Sequence, residues 1–176
     1  TGVGKHIMRA AADNLVPVTL ELGGKSPTIV GRSADKKKAG ERIALGKMMN
    51  AGQICLAPDY LMVPSDQEHD VIEAVKAGVT AQYPKLLHND DYTSVVNGRN
   101  YERLQGYLDD AREKGAELIE VNPANEEFAT SNGNKMPLTI VRNVTDDMKV
   151  MQEEIFGPIL PVMTYSTMDE AIDYVN

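Results

Sequence analysis

Two short stretches hold the residue types that covalent chemistry needs: Glu21-Leu22-Gly23-Gly24-Lys25-Ser26-Pro27 and Gly52-Gln53-Ile54-Cys55. Cys55 is the only cysteine in the chain and follows Glu21 by 34 positions. A thiolate is a strong nucleophile, and a carboxylate beside a glycine turn can serve as a general base. Together they meet the needs of a covalent thiol mechanism whose acyl intermediate is cleaved by activated water. An enzyme is the leading expectation.

Each residue also has a plainer reading. A lone cysteine is ordinarily a small buried hydrophobe. Here Gly52-Gln53 and Ala57-Pro58 flank the thiol and place it in a loop after a helix. A loop thiol can meet a substrate, and its own backbone N–H can face the oxyanion it creates. Glu21 ends the apolar run Val18-Thr19-Leu20 just before two glycines. A buried carboxylate is costly unless it is paired or working. Partial burial would raise its pKa towards neutrality, as a general base requires. The structural alternative is a salt bridge to Lys25. A third stretch, Glu153-Glu154-Ile155-Phe156-Gly157-Pro158, reads on its own as a loop with one core phenylalanine. Its functional reading has Glu154 accepting hydrogen bonds from ribose hydroxyls and Phe156 supporting a planar ring.

Phosphate-loop and metal patterns fail. Gly24-Lys25-Ser26 ends like a P-loop, but the required earlier glycine is Thr19, and Pro27 follows where a helix must begin. Gly2-Val3-Gly4 starts a dinucleotide fingerprint whose third glycine position is Ile7. His6, His69 and His88 are scattered and have no second cysteine to join, so no metal is expected.

The elements that must position these residues alternate in type. A helix is predicted from Gly4 to Leu15, with Ile7, Met8, Ala11 and Leu15 on one side. Strands are predicted at Val18–Leu22 and Ser26–Val30. Asp35 is a predicted N-cap for a helix to about Met49, burying Ala39, Ile43 and Met48, with Gly52 releasing the Cys55 loop. Tyr60–Val63 reads as a buried strand. Ser65 and Glu68 form a predicted capping box for a helix to about Gln82. Residues 84–98 are turn-rich, Arg99–Lys114 is helical and stops at Gly115, and Leu118–Val121 is strand-like. Residues 122–135 form a loop, Leu138–Val141 and Ile159–Thr164 are strands, and a helix follows from Met168. This alternation predicts an α/β fold with a mainly parallel sheet and flanking helices.

The 176 residues suffice for one sizeable core, with 42% hydrophobic and 25% charged residues. The net charge of −8 argues against nucleic-acid binding. It is uneven: residues 1–50 hold nine Lys/Arg against four Asp/Glu, and residues 51–176 hold nine against 22. A basic leading segment could favour an anionic cofactor, but a solvated helix face including Lys36-Lys37-Lys38 is the preferred explanation. No apolar run reaches the roughly 20 residues that span a bilayer, and one cysteine points to a reducing compartment, the cytoplasm by default. The start at Thr1 and the finish at Asn176 inside a helical pattern read as truncation at both ends.

Taken together, in this order and spacing, the three stretches resemble the aldehyde dehydrogenase family over the whole chain. Cys55-Leu56-Ala57-Pro58-Asp59-Tyr60 is most similar to the branch holding the fatty-aldehyde and coniferyl aldehyde dehydrogenases. The resemblance implies that Cys55 is the nucleophile and Glu21 the general base. It implies that Glu154 binds the nicotinamide ribose, Phe156 positions the nicotinamide, and the Leu22 backbone lies near its amide. The implied cofactor is NAD or NADP, the partner an aldehyde, and the parent a homo-oligomer. Residues 1–22 would be the tail of a dinucleotide-binding domain, and 23–176 a catalytic domain incomplete at its C-terminus. The isolated chain is then expected to be inactive. Two rivals stand beside this reading: a thiol-dependent hydrolase or acyl transferase, which would want a histidine partner, and a non-catalytic interaction module.

Overall fold

The computed structural model describes residues 2–130 and 133–176; Thr1, and Ser131 and Asn132 of the expected 122–135 loop, lie outside the described residues. A five-stranded sheet runs through the centre in the order β1 (Pro27–Ile29), β2 (Tyr60–Pro64), β5 (Ile159–Tyr165), β4 (Leu138–Arg142), β3 (Glu117–Val121). Four strands are parallel, and β3 pairs antiparallel with β4 at the far edge. β2 shows why the core is double-sided. All five of its residues are buried; Leu61 and Val63 point into one apolar cluster, while Tyr60 and Met62 point into the other. An unbroken apolar strand is what a sheet covered on both faces requires.

Helices α2 (Lys36–Met48) and α3 (Glu68–Gln82) cover the first face through Ile43, Met48, Val71 and Val75. The second face is covered by α4 (Gly98–Glu113), α5 (Lys149–Gln152) and α6 (Met168–Val175), through Leu104, Leu108, Val150 and Ala171. The α/β expectation is met. Asp35 caps α2 by accepting a hydrogen bond from the Lys38 N–H at 3.2 Å, and α4 ends before Gly115 at φ +90°.

Three local expectations are corrected. Helix α1 covers Gly2–Asp13, and of its expected apolar side only Ala11 is buried; Leu15, at φ 54°, is 93% exposed beyond its end. Residues 18–22 form no strand. The sheet ends at β1, and among the described residues nothing lies beside 18–22 to take its backbone hydrogen bonds. Ser65 does not cap α3. Residues Ser65–Gln67 form a 3₁₀ turn, and Glu68 turns away to a two-pronged ion pair with Arg142, both contacts at 2.9 Å. A bidentate guanidinium–carboxylate pair binding α3 to β4 outweighs a local cap.

Candidate active site

The thiol loop begins where α2 is broken by three consecutive left-handed residues: Asn50 (φ 51°), Ala51 (φ 53°) and Gly52 (φ 72°). Two of these are not glycine, so the backbone stores strain that its surroundings must hold. Gln53 holds it. Its buried amide donates to the carbonyls of Asn50 and Ser94, each at 3.0 Å, and its carbonyl oxygen accepts from the Val96 N–H at 2.9 Å. Asn50 returns a bond to the Gln53 carbonyl at 3.1 Å. A tight turn follows, with the Ala57 N–H on the Ile54 carbonyl at 3.0 Å, and Cys55 stands exposed at its apex. The Cys55 carbonyl accepts from Ser26 Oγ at 3.2 Å, while its N–H has no partner among the described residues. The thiol is therefore open to solvent beside a free backbone donor.

The second loop, Glu153–Gly157, touches the first backbone to backbone. A Cβ on Gly52 would lie 2.5 Å from the Gly157 carbonyl oxygen. Within this loop Ile155, not Phe156, takes the core position. Phe156 sits at φ 51° and is 38% exposed, which corrects the reading of a core phenylalanine. Glu154 folds back over the first motif: a Cβ on Gly23 would meet Glu154 Oε2 at 2.5 Å, so only glycine leaves room for that carboxylate. Gly23, Gly24, Arg103 and Glu154 line an open cavity of about 440 Å³.

Glu21 departs from its expected burial. It is exposed rather than partly buried, because the segment carrying it joins no sheet. The alternative salt bridge to Lys25 is also absent: Lys25 pairs with Asp59 at 2.6 Å. No hydrogen bond links Glu21 to Cys55, and neither residue lines the 440 Å³ cavity. Leu22 lies against α1, its Cδ2 only 2.8 Å from where a Cβ on Gly4 would stand. His6, His69 and His88 are all exposed, and none bonds to Cys55.

Several residues of this region carried no expectation from sequence. Asp59 is buried and receives both Lys25 and the Ile155 N–H, the latter at 3.1 Å. Arg103 donates to the Glu154 and Ile155 carbonyls at 3.3 and 2.7 Å. Lys47, in the last turn of α2, is fully buried, and its Nζ has no hydrogen-bond partner among the described residues. Burial pushes its ammonium down to about 8, against the pull of Asp59 and with the help of Lys25. A local signal existed for two of them. Asp59 immediately precedes a wholly apolar strand, and Lys47 is four residues after Ile43, on the buried side of α2.

A nicotinamide nucleotide would need acceptors for its ribose hydroxyls and open space beside them. The Glu154 carboxylate over Gly23, at the wall of the open cavity, fits that demand. Among the described residues no cluster of His, Cys, Asp or Glu could hold a metal ion, and no helix is long and apolar enough to cross a membrane.

Comparison with known proteins agrees over the whole length. The chain is 56% identical over 176 residues to a probable coniferyl aldehyde dehydrogenase of Caulobacter vibrioides, all of this chain aligning with 36% of that protein. It is 56% identical to a coniferyl aldehyde dehydrogenase of a Pseudomonas species, again over all of this chain and 37% of the other. Among solved structures, a Mycobacterium tuberculosis aldehyde dehydrogenase complexed with NAD+ superposes with a TM-score of 0.85 at 31% identity, over 99% of this chain and 36% of that one. The chain thus spans about a third of the length of the relatives it matches. The description of the aldehyde dehydrogenase family matches residues 1–176, and the chain belongs to that family.

Proposed function

We propose that this chain supplies the covalent chemistry of an NAD(P)-dependent aldehyde dehydrogenase, with Cys55 as nucleophile and Glu21 as general base. The observation that carries the reading is the exposed Cys55 at the apex of a turn that follows the strained Asn50–Gly52 segment, where Gly52 meets Gly157 of the Glu154 and Phe156 loop backbone to backbone. Sulfur adds to the aldehyde carbon, and the free Cys55 N–H faces the oxygen that gains charge. The thiohemiacetal's C–H bond then breaks with its electron pair, leaving a thioester on Cys55. When bound, the nucleotide supplies the hydride acceptor, with Glu154 on its ribose, Phe156 along its ring and the Leu22 backbone near its amide. Glu21 takes a proton from water, the resulting hydroxide attacks the acyl carbon, and the C–S bond breaks to release the carboxylic acid and the thiolate. What supports that role is that its side chain is exposed to solvent.

In the same reading residues 1–22 belong to a dinucleotide-binding domain and 23–176 to the catalytic domain of a homo-oligomeric parent working in the reducing cytoplasm. The names of the 56%-identical relatives make coniferyl aldehyde the first substrate to try. The test is a kinetic assay of the whole protein carrying this chain, with a panel of aldehydes, NAD+ and NADP+, beside Cys55→Ala and Glu21→Gln. Cys55→Ala abolishes turnover, and Glu21→Gln lets the thioester accumulate. Full activity in Cys55→Ala would end the proposal. The 176-residue chain alone should reduce nucleotide negligibly.

A further inference from the structure

Within the glycine-turn motif, Lys25 bonds to three groups, all of them far along the chain. An ammonium has three donors, and all three are engaged: Asp59 Oδ2 at 2.6 Å, the Val150 carbonyl at 2.6 Å and the Glu153 carbonyl at 3.1 Å. The Tyr60 ring lies 5.6 Å beneath it. These partners belong to different segments. Asp59 is four residues after Cys55, Val150 is in α5, and Glu153 opens the loop of Glu154 and Phe156. Asp59 closes the circuit, since its other oxygen accepts the Ile155 N–H at 3.1 Å. Lys25 itself lies two residues beyond Gly23, the seat of the Glu154 carboxylate.

We infer that Lys25 is a positioning residue: with Asp59 it forms a strut that holds the loop of Glu154 and Phe156 in one register with the Cys55 loop and the glycine turn. The chemistry requires this. Backbone contact at Gly52 and Gly157 pins the Gly157 end of the loop to the Cys55 loop and does not reach its Glu153–Glu154 end. Charge-assisted bonds to two carbonyls and a carboxylate hold that end. Arg103 acts from the other side, on the carbonyls of Glu154 and Ile155, with its guanidinium over the Tyr107 ring at 5.1 Å. Lys25 differs because it reaches the nucleophile's segment as well. Its removal should loosen the nucleotide subsite and leave the thiol chemistry largely intact.

The inference rests on the dehydrogenase reading, and its test separates the two. Amide hydrogen exchange over residues 150–157 is measured in the whole protein carrying this chain, for wild type, Lys25→Met and Lys25→Arg, beside KM and kcat for nucleotide. Lys25→Met is expected to speed exchange in this segment at least tenfold and raise the nucleotide KM at least tenfold, with kcat within about threefold. Lys25→Arg, which keeps the charge facing Asp59, should restore most of both. Exchange and KM within twofold of wild type in Lys25→Met overturn the inference, as does failure of Lys25→Arg to restore either. Should Lys25→Met not fold, Asp59→Asn carries the same readouts and thresholds, because it keeps an acceptor for the Ile155 N–H while the bond from Lys25 is lost, an amide NH2 standing where Oδ2 accepted it. The exchange result needs no turnover. Fast exchange in a protein without dehydrogenase activity sinks the dehydrogenase reading and leaves the strut standing, whereas unchanged exchange removes the strut whatever the activity.

Discussion

Gly52 and Gly157 meet with no side chain between them: a Cβ on Gly52 would stand 2.5 Å from the Gly157 carbonyl oxygen, and Gly52 holds φ +72°. Both facts penalise the same substitution. Gly52→Ala should destabilise by about 2–4 kcal/mol, the sum of a left-handed alanine and a backbone clash. Relief by separating the two loops should also alter the alkylation rate of Cys55. Gly106→Ala is the control, since nothing lies within 4 Å of its Cβ position in mid-α4; it should stabilise by about 0.5–1 kcal/mol. Urea unfolding of the two variants checks both signs. A Gly52→Ala protein as stable as wild type would show that the loops do not touch as described.

Gly23→Ala should separate stability from binding. The added Cβ would meet only the flexible end of Glu154, its Oε2 at 2.5 Å, so the carboxylate can swing away without moving backbone. The expected stability change is under about 1 kcal/mol, as for surface positions generally. The nucleotide KM of the whole protein should rise while the rate of Cys55 alkylation stays unchanged. A large fall in melting temperature would mean that Glu154 cannot yield.

What the sequence disclosed and what it hid divide along chain distance. Asp35 announces α2 because a cap acts on the amide three residues away, and β2 announces itself by an apolar run that depends only on its own residues. The exposed loop position of Cys55 was legible because glycine and proline flank it in the chain. Lys25 was not. Its partners are 34, 125 and 128 positions off, and no local rule reaches that far. The same blindness offered Glu21, four residues away, as an alternative partner, when Asp59 holds that place. Residues 18–22 have the pattern of a strand, but a strand is a property of two segments, and no second one lies beside them among the described residues.

Glu126 shows the same principle in the 122–135 loop. Its carboxylate accepts three backbone N–H bonds, from Leu86 at 2.6 Å, Leu87 at 2.9 Å and His88 at 2.8 Å. Burial opposes its ionisation, yet these bonds prevail and hold its pKa below the usual carboxylate range. A depressed carboxylate contributes stability that is present above its unfolded pKa and lost as pH falls through the folded one. The turn at 86–88 should therefore loosen on acidification. Glu126→Gln, which cannot accept all three bonds with full charge, should cost about 1–3 kcal/mol and remove that acid sensitivity. Amide exchange at 86–88 between pH 3 and 6 is the measurement, and equal acid response in both proteins would refute the assignment.

Lys47 makes the opposite prediction at alkaline pH. Its folded pKa is about 8 against an ordinary 10.5, because burial without a hydrogen-bond partner penalises the charged form. Between those two values the unfolded chain binds more protons than the folded one, so stability rises with pH across the window. The full span corresponds to about 3 kcal/mol at 1.36 kcal/mol per pKa unit. At pH 7 that penalty is still present, so Lys47→Met, similar in length and free of charge, should stabilise the protein by up to this amount. The advantage should shrink as pH approaches 10. Above that the buried Tyr92, whose pKa burial raises, takes over with the reverse sign: its neutral form is favoured in the fold, and stability falls as the unfolded phenol ionises. Wild type should thus show a stability maximum at about pH 10, where the two opposite effects cross, that Lys47→Met lacks. A loss of stability in Lys47→Met at pH 7 would mean instead that the ammonium's attraction to Asp59 exceeds its desolvation.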